Sequence, residues 1–155
     1  MKRILIPAVF FSMVLFVACN NSSENAETKE NKPLTAADSL MNEVMEGHDA
    51  VMPKMGKVRG AQKQAQQMLD SLSKLPAKAQ QAVSELKEKL QSLVNDLNYA
   101  DYAMDTWMTE FKMDSAKEDM KTRIKYLTDE KMKVNKVKDA VLNSLAKADS
   151  ILQRN

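Results

Sequence analysis

Residues 83–111 read VSELKEKLQSLVNDLNYADYAMDTWMTEF. Within them Val83, Leu86, Leu90, Leu93, Leu97, Ala100, Met104, Trp107 and Phe111 follow at alternating steps of 3 and 4 without a slip. That spacing puts them on one face of a helix and repeats every seven residues, the rhythm of helices packed side by side. A helix is therefore expected over 77–111. Pro76 suits its first turn, and Leu75 before the proline is pushed out of helical geometry. On the N-terminal side a first helix is expected over 35–74, with Thr35 as N-cap and Asp38 three residues on. On the C-terminal side Ser115-Ala116-Lys117-Glu118 has the form of a capping box, so a third helix is expected over 115–153. Its expected core face is Met120, Ile124, Leu127, Val134, Val137, Val141, Leu145, Ala148 and Leu152.

Short turns make neighbouring helices antiparallel. The reading is all-α: an antiparallel up-down-up three-helix bundle with long helices and coiled-coil-like packing over residues 35–155. An open hairpin whose third helix pairs only in an oligomer is the alternative. The closed bundle is preferred because the first helix carries two adjacent apolar tracks, Met41-Met45-His48-Met52-Met55 and Leu40-Val44-Gly47-Val51.

Upstream of the bundle, Lys2 and Arg3 precede an almost unbroken apolar run from Ile4 to Val17, shorter than the roughly 20 residues of a membrane span. Residues 1–18 read as a signal peptide. Leu15-Phe16-Val17-Ala18-Cys19 resembles the lipobox of bacterial lipoproteins, with Phe16 bulkier than usual at its place. The resemblance implies cleavage before Cys19, acylation of its sulfur with palmitate-type chains, and anchoring in a membrane of the cell envelope. Asn20 after the cysteine resembles the outer-membrane sorting pattern of Gram-negative lipoproteins; a place on the periplasmic side is expected, though nothing in the residues decides the side. Cys19 is the only cysteine, so no disulfide within the chain is expected. Residues 19–34 hold one apolar side chain larger than Ala besides the cysteine, and read as a solvated tether.

Charge narrows the function classes. The chain has 23 basic and 21 acidic residues; removing Lys2 and Arg3 with the signal peptide leaves 21 against 21. A neutral balance of mixed signs points away from nucleic acid. One His, no Gly-rich phosphate loop and no His-x-x-x-His or Glu-x-x-His spacing point away from an enzyme, and no catalytic residue is singled out. Asp101 and Asp105 lie four apart, but such pairs arise on any solvated helix face of a chain with 28% charged residues. Cys and His are too few for a zinc cluster.

One stretch remains, residues 41–60. It holds His48, all three glycines, four of the twelve methionines and Pro53. Pro53 removes the hydrogen bond to the Asp49 carbonyl, so a kink is expected. Folding the helices about 75–76 and 113–114 brings His48 opposite Met104, Met104 opposite Ile124, and Met108 opposite Met120. The glycines then fall across from the facing aromatics, Tyr99, Tyr102, Trp107 and Phe111. The plainer reading is an adaptable Met-rich core, with His48 bonded to a backbone carbonyl or to a carboxylate such as Asp105. The sharper one is a soft-metal site for Cu(I), built from His48, Met45, Met52, Met104 and Met108 with Trp107 as shield. Haem is a weaker version, since no Cys-x-x-Cys-His is present. Otherwise no cofactor is expected, and the partners expected are the membrane, through the anchor, and an envelope protein or a second copy.

His48-Asp49-Ala50-Val51-Met52-Pro53-Lys54-Met55, Met104-Asp105-Thr106-Trp107-Met108-Thr109-Glu110-Phe111, and Tyr126-Leu127 with Glu130-Lys131 and Lys133-Val134 resemble a family of small bacterial envelope lipoproteins that carry the label "viral A-type inclusion protein". The label reflects coiled-coil similarity rather than activity. The likeness spans most of 38–152 and is specific at the first segment. The family has no assigned activity, so the resemblance implies a helical envelope lipoprotein and no more.

Overall fold

The computed structural model describes residues 34–153, and the signal peptide, lipidated Cys19 and nearly all of the tether read from the sequence lie outside them. The described chain is all-α, with no strand among the described residues: α1 (Ala36–Asp49), a 3-10 turn (Met52–Lys54), α2 (Met55–Ser73), α3 (Ala77–Ala82), α4 (Ser84–Glu110) and α5 (Met120–Leu152). These make three rods. α1 and α2 form the first, α3 and α4 the second, and α5 the third.

Local chemistry explains most of the ends. Thr35 caps α1 reciprocally: its Oγ1 accepts from the Asp38 N–H at 3.1 Å, while its own N–H donates to Asp38 Oδ2 at 3.0 Å. Pro76 precedes Ala77, and the reversal at 74–76 is closed by Gln80, whose amide donates to the carbonyls of Ser73 and Leu75 at 2.9 and 2.7 Å. The expected kink at Pro53 is a full break. α1 stops at Asp49, Val51 leaves helical geometry at φ −121°, and the proline sits inside one 3-10 turn before α2 begins. Without its N–H the proline cannot continue the α ladder, and the tighter turn accommodates it.

The third helix differs from expectation. It begins at Met120, not 115, with Asp119 as its cap, accepting from the Lys121 N–H at 3.1 Å. Residues 113–118 are turns, and Ala116 has a positive φ of 55°. A start at 115 would leave only 112–114 to reverse the chain. The loop is pinned from α5 by Arg123, which donates to the carbonyls of Ser115 and Met113 at 2.6 and 3.0 Å. The Lys112 N–H donates to the Tyr126 hydroxyl at 2.7 Å.

This longer loop shifts the register. Trp107 meets Glu130 and Lys147 meets Asp96, so Met104 does not face Ile124, nor Met108 Met120. Between the first two rods Arg59 meets Asp101 and Gln62 meets Asn98, and His48 lies against Trp107, one turn beyond the expected Met104. α1 runs parallel to α5, fixed by Glu43–Lys131 and by Gly47 against Val134, while α2 packs mainly on α4.

The core is one apolar cluster through all three rods, including Val44, Val51, Val58, Ala65, Leu69, Leu90, Leu93, Leu97, Met104, Val134 and Val141. In the first rod the buried track is Ala37, Val44, Gly47, Val51, Met55 and Val58. Most of the Met track sits at its edge: Met41, Met45 and His48 are half-buried and Met52 is exposed, while Met55, its last member, is buried and Leu40 of the neighbouring track is half-buried. Compact residues let α1 approach α5 closely. A Cβ on Gly47 would lie 2.8 Å from Val134 Cγ1. Gly56 and Gly60 face open space instead, so the expectation that all three glycines oppose aromatics does not hold.

Candidate functional site

The part of the interior that departs from simple aliphatic packing lies where α1 ends. His48, in the last turn of α1, lies on Trp107 with ring centroids 5.7 Å apart and planes tilted by 35°. Trp107 stacks on Phe111, one turn on in α4, at 5.0 Å. Phe111 stacks in turn on Tyr126 of α5 at 6.3 Å. Four rings thus form a column that touches all three rods. Its inner edge is polar: the Trp107 indole N–H donates to Glu130 Oε2 at 3.0 Å.

Glu130 is buried, its side chain only 3% exposed. Its second oxygen accepts from Lys133 Nζ at 2.8 Å, one turn along α5. Lys133 reaches it from solvent, with its stem against the helix and its ammonium at the rim. The hydrogen bond that Lys133 donates to Glu130 raises the lysine's pKa above its ordinary 10.5, against a smaller opposing effect of burial. Both carboxylate oxygens therefore have donors, which is what a buried charge requires. Among the described residues no buried side-chain nitrogen or oxygen is left without a partner.

The sequence signal for Glu130 lay in the rhythm of α5. The expected stripe jumps seven residues, from Leu127 to Val134, and Glu130 fills the empty slot at Leu127 plus three. Ser144, also buried, takes the slot expected for its neighbour Leu145, which is half-buried, and donates to its own helix at the Val141 carbonyl, 3.0 Å.

The residues expected to ligate a metal are placed as follows. His48 and Trp107 are brought together. Met104 is fully buried in the core, Met45 is half-buried, and Met52 and Met108 are exposed, at 40% and 43%. The His48 Nδ1 is 2.8 Å from Asp49 Oδ1, so the carboxylate partner is Asp49 and not Asp105. Asp105 and Asp101 are engaged by Arg59. Among the described residues no three His, Cys, Asp or Glu side chains gather as a metal cluster. A groove between α2 and α5, lined by Gly60, Ala61, Leu142, Leu145 and Leu152 among others, includes none of the column's residues.

No protein-family model, no curated protein and no solved structure matches this chain. His48 with Asp49, and Glu130 with Lys133, pair within their own helices, while the Trp107–Glu130 bond ties α4 to α5 and the His48–Trp107 contact lays the end of α1 on α4. No helix of the described residues is long and apolar enough to cross a membrane.

Proposed function

We propose that this chain is a non-catalytic, lipid-anchored helical protein of the bacterial envelope, held in the outer membrane on its periplasmic side, whose bundle offers a surface to a protein partner or to a second copy. One observation carries the reading: the lipobox-like Leu15-Phe16-Val17-Ala18-Cys19, at the end of the apolar run from Ile4, precedes the first helix by a short polar segment. The column of rings supports a structural role for the residues that chemistry first singles out, because their polar atoms are engaged with one another. The test is acylation in a Gram-negative host fed a labelled palmitate analogue. The wild type takes up label and fractionates with the outer membrane, and Cys19→Ser does neither. A wild type that stays unlabelled and soluble overturns the reading.

A second reading is a Cu(I)-binding protein using the Met, His and Trp side chains. It is favoured by the His48–Trp107 stack together with two exposed thioethers, Met52 four residues beyond His48 and Met108 next to Trp107. Titration with Cu(I) under reducing conditions decides it. Tight binding weakened at least tenfold by His48→Ala and by Met52→Leu supports the site; affinity indifferent to both ends it.

A further inference from the structure

The surface of the bundle is not apolar everywhere alike. Large apolar side chains exposed at the end where the described chain begins are Leu34 at 66%, Met113 at 56%, Met120 at 51% and Met108 at 43%. At the opposite end, around the 74–83 reversal, Leu72, Leu75 and Val83 are all half-buried. Isolated exposed apolar groups are ordinary, but a cluster on one end marks a contact surface. The cluster is also held in place. Arg123 grips the carbonyls of Met113 and Ser115, Tyr126 accepts from the Lys112 N–H, and Asp119 caps α5, so Met113 stands on a pinned loop. Lys112, Lys117, Lys121 and Lys125 are exposed in the same segment, with Asp114, Glu118 and Asp119 exposed among them and Lys117 paired with Asp114.

The same end receives the chain. The Glu43–Lys131 pair and the Gly47–Val134 contact set α1 alongside α5, which carries Leu34 level with the first turn of α5, beside the 111–119 loop. From Cys19 to Thr35 the covalent chain reaches at most about 55 Å, even fully extended. An anchor at Cys19 therefore holds this end of the bundle within that distance of the bilayer.

We propose that the end of the bundle formed by Leu34, Met108, the 111–119 loop and the first turn of α5 docks on the lipid headgroup layer. Met113 and Met120 enter the interface and the lysines of the same segment meet lipid phosphates. This rests on the lipid-anchored reading above. Unbranched, polarizable methionine adapts to an irregular apolar surface, and lysines beside it reach phosphates on long stems. A second, weaker membrane contact would hold the bundle upright on its anchor instead of leaving it free on its tether.

The test uses the full acylated protein in vesicles of phosphatidylethanolamine and phosphatidylglycerol, with or without lipids carrying a quencher near the headgroup. With the Cys19 sulfur acylated, an introduced cysteine is the one free thiol. An environment-sensitive dye is placed on Met113→Cys, Met120→Cys, Lys117→Cys or Lys74→Cys. Labels at 113, 117 and 120 are expected to be quenched at least twofold more than the label at 74. Adding Met113→Glu and Met120→Glu should bring the label at 117 down to the level of 74, with vesicle flotation unchanged. Equal quenching at all four positions, or quenching indifferent to the glutamates, overturns the docking while flotation keeps the anchor. Loss of flotation by the wild type overturns the anchor, and the docking with it.

Discussion

The two halves of the bundle fill the same heptad slots differently. Away from the chain entry, the slots hold Val58, Ala65, Leu69, Leu90, Leu93, Leu97, Val141 and Ala148, all members of the apolar cluster. Nearer the entry, the slots hold Trp107 and Glu130, with His48 at the edge and Gly47 pressed against Val134. Leucine slots accept any apolar group of about the right volume, so they hold the rods together without choosing between neighbouring registers. A donor buried beside one acceptor does choose, because a one-turn slip would orphan both. The aliphatic half supplies cohesion and the aromatic half supplies register, and the predictions below set them against each other.

Trp107→Ala should cost the most. It removes a side chain that is 5% exposed and touches His48, Phe111 and Glu130, and large-to-small changes of this kind cost about 3–5 kcal/mol. Leu93→Ala in the aliphatic half should cost about 2–5 kcal/mol by the same mechanism. Equilibrium urea unfolding compares them. A Trp107→Ala variant as stable as the wild type would deny the column any part in the fold.

Glu130→Ala leaves the indole N–H buried without an acceptor, at a cost of about 1–3 kcal/mol. Ser144→Ala removes a buried hydroxyl that only bonds its own helix, and should stay within about 0.5 kcal/mol of the wild type. The gap between these two midpoints measures whether a polar group in a heptad slot ties rods together or merely fits.

Gly47→Ala forces a Cβ onto the fully buried Val134. Overpacking of about 1–3 kcal/mol outweighs a helix-propensity gain of about 1 kcal/mol, so destabilisation is expected. Gly60→Ala gains the propensity with nothing within 4 Å to obstruct it, and should stabilise by about 0.5–1 kcal/mol. Thermal melts should therefore move in opposite directions. Two shifts of the same sign would refute the close approach of α1 to α5.

The smallest effect is on pH. Asp119 is held below its ordinary 3.8 by the Thr122 hydroxyl and the Lys121 N–H, and Asp114 by Lys117. Carboxyls lowered in the folded state stabilise it above about pH 4, and that contribution fades as pH falls through their lowered values. Lys133, raised by Glu130, acts oppositely: its contribution is complete below about 10.5 and fades only at higher pH. Amide protection in 111–119, taken relative to the intrinsic exchange rate at each pH, should fall below pH 4 before that of α4, and stay level from pH 5 to 9.

Much of the fold was legible in the residues. The heptads of 86–107, the Thr35–Asp38 box and Pro76 each act within one turn of chain and hold in the structure, whereas the helix expected unbroken over 77–111 is interrupted at Val83, between α3 and α4. What was not legible depends on contacts distant in sequence. Ser115 and Asp119 are both fit caps, and the choice of Asp119 goes with the hold of Arg123 on the loop. That choice moved the whole third rod past the second by more than two turns. The Met track and the Val track are equally helical in period, and only the closeness of α5 favours the compact one. Of the candidate site, the meeting of His48 with Trp107 was foreseen, and the carboxylate beneath the indole was not.

The chain has one tryptophan, so its indole N–H gives a single, self-assigned nuclear magnetic resonance signal. Hydrogen exchange at that proton tests the central claim most directly. The account predicts a proton protected to the level of the core amides of Leu93 and Val134, with protection abolished by Glu130→Ala. An indole that exchanges as freely as tryptophan in water, or one indifferent to Glu130→Ala, would contradict it.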